Sequence, residues 1–410
     1  MQRRPWLAEA LLLAALAGLI TAVFAATPLD IGAARLFYRA GSPDPWPLAT
    51  RGPWSLLYSA APWITASLVV AGLALLAVGQ LRRSDRQRRC ALLLLLALAL
   101  GPGLLVNGVF KDHWARPRPR EILQFGGALS YVPAPLPGRN GGASFPCGHC
   151  SVGFLYAAGW WIWRRRRPGW ARASLGVGIA AGLALGLGRM AAGAHFLSDV
   201  LWSALLAYGV CHLLGYHVLH LERAAGGADA AAQPLHPLWL RVAAPAAVLG
   251  GLAVLLALFV TAHGTRVSAR IPLGSLPERP RVLEFEARAA DVQIVLLDAP
   301  ASGASAQLSV AGELHGFGLP GSRLAAGYDF VRAPAPTLRY RFEQSGRFTD
   351  LGGFATVLLP ATGLERVAVS VDRGNIVVRD ETGSGVVGRK AVQLELHTGR
   401  GQIKVLPRSP

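Results

Sequence analysis

Charged residues are scarce in this sequence, making up 16% of its 410 positions, and only 23 of them are acidic. Soluble chains carry about 25% charged residues. With 52% hydrophobic residues and a mean hydropathy of +0.37, the shortfall excludes an ordinary soluble protein, and it excludes disorder for most of the length. Cysteine is nearly absent too, at four residues, so a secreted scaffold held together by disulfides is excluded. Lysine occurs only at Lys111, Lys390 and Lys404, and the net charge of +18 rests on arginine. In a soluble protein that charge would point to nucleic acid. Here the arginines sit in short clusters between long apolar runs, as in the cytoplasmic loops of membrane proteins. The partner implied is a lipid bilayer and not a nucleic acid.

Seven apolar runs are present, at residues 7–26, 62–81, 91–110, 151–163, 174–187, 200–216 and 242–263. Most approach the ~20 residues that a helix needs to span a bilayer. The first follows Arg3-Arg4 and ends in Phe24-Ala25-Ala26, which resembles a signal-peptide cleavage region, but the runs after it favour an uncleaved helix. The fourth and fifth runs are short, and they span only if their helices extend back into Cys147-Gly148-His149 and Arg172-Ala173. Arg82, Arg83, Arg86, Arg88 and Arg89 lie between the second and third runs, and Arg164 to Arg167 between the fourth and fifth. Both loops are therefore expected inside the cell. Residues 27–61, 111–146 and 189–199, and everything after residue 263, are then expected outside. Trp6, Trp54, Trp63, Trp160, Trp161, Trp163 and Trp202 fall near the ends of these runs, as interfacial aromatics do. After about residue 270 the pattern changes to period-two alternation, as in residues 281–288, 291–296 and 355–360, which predicts β-strands. The stretch 367–378 is echoed by 392–405, each reading as strand, Gly-containing turn, strand.

Three polar clusters interrupt the apolar region, and the arginine-based topology puts all three on the same outer face. The first is Lys111-Asp-His-Trp-Ala-Arg116-Pro117-Arg118-Pro119, whose three cations are suited to a multiply charged oxyanion. Read alone it is equally a charged interfacial collar. The second, Ser144-Phe145-Pro146-Cys147-Gly148-His149-Cys150-Ser151, opens a helix, and free N–H groups at such an end form an anion site. His149 beside them is placed to protonate a leaving oxygen. Cys147 and Cys150 also have dithiol spacing, but without a βαβ context the plainer reading is two small helix residues. In the third, Gly188-Arg189-Met-Ala-Ala-Gly-Ala-His195-Phe-Leu-Ser-Asp199, His195 and Asp199 are four apart and would touch on a helix. A carboxylate behind an imidazole fixes its tautomer and strengthens it as a nucleophile. The alternative is a His-Asp pair that only locks two helices together.

Together these motifs resemble the type 2 phosphatidic acid phosphatase superfamily, whose pattern is K-x6-R-P, then P-S-G-H, then S-R-x5-H-x3-D. Here it reads Lys111, Arg118-Pro119; Pro146-Cys147-Gly148-His149; Gly188-Arg189, His195, Asp199. The resemblance covers about residues 7–216. It implies that His195 attacks phosphorus to form a phosphohistidine, that Asp199 orients it, and that His149 protonates the leaving group. Lys111, Arg118, Arg189, Cys147 and the Gly148 amide would hold the phosphoryl oxygens, and neither a metal nor a cofactor is implied. Cys147 stands where the family usually has Ser and donates weakly. Gly188 stands where the third motif usually starts with Ser, and glycine there would let Arg189 turn toward the site. Two cysteines facing an oxidising compartment would be open to a disulfide that distorts the phosphate cradle.

The expected fold is an all-α polytopic membrane domain, a six-helix phosphatase core plus a seventh transmembrane helix, followed by an all-β extracytoplasmic domain. Its boundaries are residues 1–216 for the phosphatase domain, 217–241 for a cytoplasmic linker, 242–263 for the seventh helix and 270–410 for the β domain. The β domain is similar to adhesin-like domains of bacterial envelope proteins and is read as an element that meets an envelope partner. Abundant Ala, Gly and Arg with little Lys suggests a GC-rich bacterial genome. The resemblance then implies a multi-pass inner-membrane enzyme with a periplasmic site acting on a lipid phosphate or pyrophosphate. Phosphotransfer to another lipid through the same intermediate, and an inert membrane-anchored interaction module, are the alternatives.

Overall fold

The computed structural model describes residues 5–40, 45–49, 51–127, 129–138, 142–224, 262–298, 307–319, 321–387 and 391–406. The chain divides into two compact units, one of Met1–Ala40, Pro45–Arg120 and Tyr131–Val260, the other of Gly41–Asp44, Glu121–Ser130 and Thr261–Pro410.

The first unit is helical. It contains α1 (Pro5–Ala26), α2 (Leu29–Arg35), α3 (Trp54–Leu81), α4 (Asp85–Leu98) with a π-helical continuation (Ala99–Phe110), and the single turn α5 (Lys111–His113). It continues with α6 (Gly148–Phe154), a 3₁₀ stretch (Leu155–Ala158), α7 (Gly159–Trp163), α8 (Pro168–Ala191) and α9 (Leu197–Leu213), which ends in a π turn (Leu214–Val218), and α10 (Leu221–Ala224). Among the described residues five helices are long and apolar enough to cross a membrane, namely Pro5–Ala26, Leu56–Leu81, Asp85–Phe110, Pro168–Ala191 and Leu197–Val218. The protein is a membrane protein. The short fourth run extends back as expected, since α6 begins at Gly148 with Cys147 as its N-cap, but its helix is interrupted by the 3₁₀ stretch and is not among the five. The fifth likewise begins at Pro168.

Pro102 explains the π stretch. Without an N–H and with its ring in the way of the preceding turn, it shifts the ladder, and its carbonyl accepts from Asn107 Nδ2 at 2.7 Å. Glycine sets the helix spacing. A Cβ on Gly153 would lie 2.8 Å from the Gly182 nitrogen, and one on Gly178 would lie 2.6 Å from the Ala157 nitrogen, so α6 and α8 meet backbone to backbone, as small residues allow within a bilayer. The basic clusters fasten the opposite end of the bundle. Arg86 donates to the Ile162 carbonyl at 2.6 Å and Arg89 to the Leu219 carbonyl at 2.8 Å, satisfying helix C-termini. Arg164 pairs with Glu9 at 2.7 Å and with Glu222.

The second unit is β-rich. Its strands are β1 (Ala262–Pro272), β2 (Val282–Ala289), β3 (Asp291–Leu297), β4 (Gln307–Gly318), β5 (Arg323–Val331), β6 (Thr337–Ser345), β7 (Phe348–Pro360), β8 (Arg366–Arg373), β9 (Ile376–Asp380), β10 (Gln393–Arg400) and β11 (Ile403–Leu406). They form a six-stranded sheet, β1-β4-β7-β3-β9-β11, and a five-stranded one, β10-β8-β2-β6-β5. The pairs β6/β7, β2/β3, β8/β9 and β10/β11 are four rungs, each contributing one strand to each sheet in parallel register with its neighbour. The echo between residues 367–378 and 392–405 is thus two adjacent rungs. Their turns stack: Gly374 N donates to the Arg400 carbonyl at 2.9 Å and Gln402 N to Asn375 Oδ1 at 2.9 Å. Alternate residues such as Val367, Val369, Val371, Ile376 and Val378 fill the core between the sheets, as period two requires. The β unit starts earlier than residue 270, because Ala262 and His263 already belong to β1. That removes the last two residues from the expected seventh helix, and the rest of residues 242–263 lies outside the described residues, as do residues 225–241 of the expected linker, whose described start is partly helical in the end of the π turn and in α10.

Candidate active site

The helix order carries the three motifs to one end of the bundle. Lys111 opens α5 at the end of the π stretch, the chain turns through Arg116 to Arg118, Gly148 and His149 open α6, Arg189 lies in the last turn of α8, and His195 precedes α9. His149, Arg189, His195 and Asp199 are all buried, and Lys111 and Arg118 are half-buried. Arg189 and Arg118 both lie close enough to His195 to act on its charge.

His195 is held otherwise than its spacing predicts. It is not on a helix with Asp199, because α9 begins at Leu197 and Asp199 sits in its first turn, accepting from the Phe196 N–H at 2.8 Å. His195 Nδ1 lies 2.5 Å from the Ser144 carbonyl and 3.8 Å from Asp199 Oδ2. A carbonyl only accepts, so Nδ1 carries the hydrogen and Nε2 keeps its lone pair. The separation from Asp199 is too long for a hydrogen bond. Asp199 acts one step removed: its Oδ2 accepts from Ser144 Oγ at 2.6 Å, which steadies the residue whose carbonyl holds the imidazole. Burial pushes His195 down to about 4, with Arg189 and Arg118 adding to the shift and Asp199 opposing it. The ring is neutral at physiological pH. Gly193 makes the preceding turn possible, since it has φ +60° and a Cβ would lie 2.5 Å from the Trp46 ring. Only glycine suits both demands.

Arg116 corrects the expectation of three cations facing an oxyanion. Its guanidinium is fully buried between Asp199 and Asp30, with Asp30 Oδ2 at 2.8 Å. Its Nε donates to the Val132 carbonyl at 2.8 Å and Nη1 to Ser198 Oγ at 3.0 Å. Asp30 further accepts from Ser198 N at 2.9 Å and Tyr131 Oη at 2.9 Å. Four of its five N–H groups are thus given to protein acceptors, and the guanidinium is turned to the two carboxylates. Asp30, Ser144 and Tyr58 were assigned no role from the sequence. Asp30 carried one available signal, an acidic residue just past the end of an apolar span.

Cys147 is corrected as well, since it is disulfide-bonded to Cys150 and both are fully buried. It offers no thiol to a phosphate. Its sulfur caps α6 by accepting from Cys150 N at 3.4 Å, and its own N–H goes to Ser203 Oγ at 2.8 Å. Gly188 does not turn the chain either, because it lies inside α8. A Cβ there would lie 2.9 Å from Leu57 Cβ and 3.4 Å from the Trp54 carbonyl, so its glycine admits α3. Among the described residues no group of three or more His, Cys, Asp or Glu is placed to hold a metal ion.

Residues 90–222, which span the three motifs, match the PAP2 superfamily. The chain carries a PAP2 superfamily domain. Over 125 residues, 30% of this chain and 55% of the relative, it is 36% identical to a lipid A 4'-phosphatase of Francisella tularensis subsp. novicida. Over 108 residues, 25% of this chain and 40% of the relative, it is 40% identical to a lipid A 4'-phosphatase of Rhizobium etli. The chain therefore spans about half the length of the curated relatives it matches. A PAP2 type phosphatidylglycerolphosphate phosphatase from Bacillus subtilis aligns over 51% of this chain and 93% of its own, at 20% identity and a TM-score of 0.29.

Two expectations follow from the PAP2 domain's geometry. Asp30→Ala leaves the buried Arg116 facing one carboxylate fewer, and loss of a buried charge partner costs about 3–5 kcal/mol; a clear drop in thermal midpoint in detergent is expected, and an unchanged midpoint would show that the pair is dispensable. Thiol titration of the denatured chain should count two free cysteines, Cys90 and Cys211, before reduction and all four after it.

Proposed function

We propose that the protein is a membrane phosphatase that removes a phosphate monoester from a lipid A-type glycolipid, working at the periplasmic face of a bacterial inner membrane through a phosphohistidine on His195. The observation that carries this reading is the His195 ring, neutral and buried, with Nδ1 given to the Ser144 carbonyl and its other nitrogen left as a nucleophile. The PAP2 domain and the two lipid A 4'-phosphatases similar to it support the substrate class. The arginine clusters at the opposite end of the chain's helices support the orientation.

In this reading His195 Nε2 attacks phosphorus, the bond to the leaving oxygen breaks, and His149 gives that oxygen a proton. Water then attacks the phosphohistidine, His149 takes back a proton, and the N–P bond breaks to release phosphate. Lys111, Arg118 and Arg189, with the Gly148 amide at the start of α6, meet the negative charge that grows on the phosphoryl oxygens. Asp199 keeps Ser144, and through it the imidazole, in place, and its charge favours the positively charged ring of the intermediate.

Full-length protein in detergent is expected to release phosphate from lipid A, with phosphatidic acid, phosphatidylglycerol phosphate and a polyprenyl pyrophosphate as comparisons, in the presence of EDTA. His195→Ala should lose this release by about a thousandfold or more, and turnover retained by that variant would overturn the assignment. The pH dependence has a definite sign. A lowered histidine pKa means that the nucleophile stays unprotonated until the pH falls through it, so kcat/KM should decline on the acid side with a midpoint of about 4. A midpoint at or above the ordinary histidine value would contradict the buried, neutral ring.

A further inference from the structure

The residue read as the acid and one of those read as phosphate ligands meet the same third side chain. The Tyr58 ring stacks on the His149 imidazole with centroids 4.9 Å apart and planes inclined by 26°. The Arg189 guanidinium carbon lies 5.0 Å from the centroid of that same ring. Tyr58 belongs to none of the three motifs. It comes from the first two turns of α3, and it is within reach because α3 closes on α8 beside Gly188, where a Cβ would strike Leu57. The glycine that replaces the serine usual at that motif position is thus the seat for the turn of α3 that carries Tyr58.

We propose that Tyr58 is a positioning residue for catalysis, holding the His149 ring at the angle from which it protonates the leaving oxygen and tying that ring to Arg189. This rests on the phosphohistidine reading above. The electron-rich face of an aromatic ring attracts a guanidinium and an imidazolium alike, and a stacked partner removes the rotation that a histidine side chain otherwise has. One tyrosine therefore couples the group that delivers the proton to a group that grips the phosphoryl oxygens. Their relative placement is fixed before the lipid arrives.

The test compares two leaving groups. A sugar alkoxide must be protonated as it departs, whereas nitrophenolate leaves without help, so a fault in the acid shows in the first and hardly in the second. kcat/KM, which reports steps up to departure of the leaving group, would be measured on lipid A and on p-nitrophenyl phosphate. Tyr58→Leu is expected to lower the lipid A value roughly tenfold more than the aryl phosphate value, and Tyr58→Phe, which keeps the ring, to retain the wild-type ratio. Gly188→Ala, which pushes α3 away without touching Tyr58, should show the same selective loss and serves if Tyr58→Leu does not fold. His149→Ala should be selective in the same sense by about a hundredfold. Equal losses on both substrates in Tyr58→Leu, beside a selective His149→Ala, would overturn the proposal and leave Tyr58 as packing. An unselective His149→Ala would instead overturn the acid role of His149 on which the proposal stands.

Discussion

The motif-bearing end of the bundle is built around one guanidinium held between two carboxylates away from water. Taking Arg116, Asp30 and Asp199 out of solvent costs several kcal/mol per ion, and attraction between them offsets that only when every donor and acceptor is used. Here most are: Nε goes to the Val132 carbonyl, Nη1 to Asp199 and Ser198, Nη2 to Asp30, and the carboxylates take up Ser198, Tyr131, Ser144 and the Phe196 amide. The cluster joins the segment after α1, the stretch between Lys111 and Arg118, and the start of α9. Through Asp199 it ties Ser144, whose carbonyl holds His195, to Arg116 of the first motif.

That cluster carries one more negative charge than positive, and the neighbouring group is cationic. Lys111, Arg118 and Arg189 repel one another, and a buried anion behind His195 balances part of that repulsion. The arrangement separates two tasks. Asp199 acts on His195 through the Ser144 hydroxyl and at 3.8 Å through charge, while the carbonyl of Ser144 takes the imidazole hydrogen.

Much of this was legible in the chain because the signals were local. Five of the seven apolar runs correspond to spans among the described residues, arginine clusters put the three motifs at one end, and period-two alternation gave β2, β3, β8 and β9. What was hidden depends on partners distant in sequence or on atoms that a sequence does not distinguish. Tyr58 reads as one more aromatic in an apolar helix, and only the approach of α3 to α8 brings it to His149. A backbone carbonyl as the partner of His195 has no letter of its own, so the nearby Asp199 drew the assignment. Arg116 and Arg118 look equivalent two residues apart, yet Arg116 is buried between Asp30 and Asp199 while Arg118 lies close enough to His195 to act on its charge. Gly188 is expected to let Arg189 turn toward the site, whereas here it clears space for α3 inside α8. The Cys147–Cys150 bond agrees with the expectation of two cysteines open to oxidation, whereas the plainer reading as two small helix residues and the phosphate contact through a Cys147 thiol both give way to it.

The β unit grows by addition. Its rungs β2/β3, β8/β9 and β10/β11 share one register, and Gly374 and Gly401 sit one above the other at the turn because neither has a side chain to hold its neighbour off. Each rung touches only the rungs beside it, so stability is close to a sum over neighbouring pairs. A duplication or loss of about 25 residues, the offset between the two echoed stretches, would therefore change the height of the stack by one strand spacing, ~4.8 Å, and leave the remaining rungs intact. Height is a quantity that this chain can alter in equal steps.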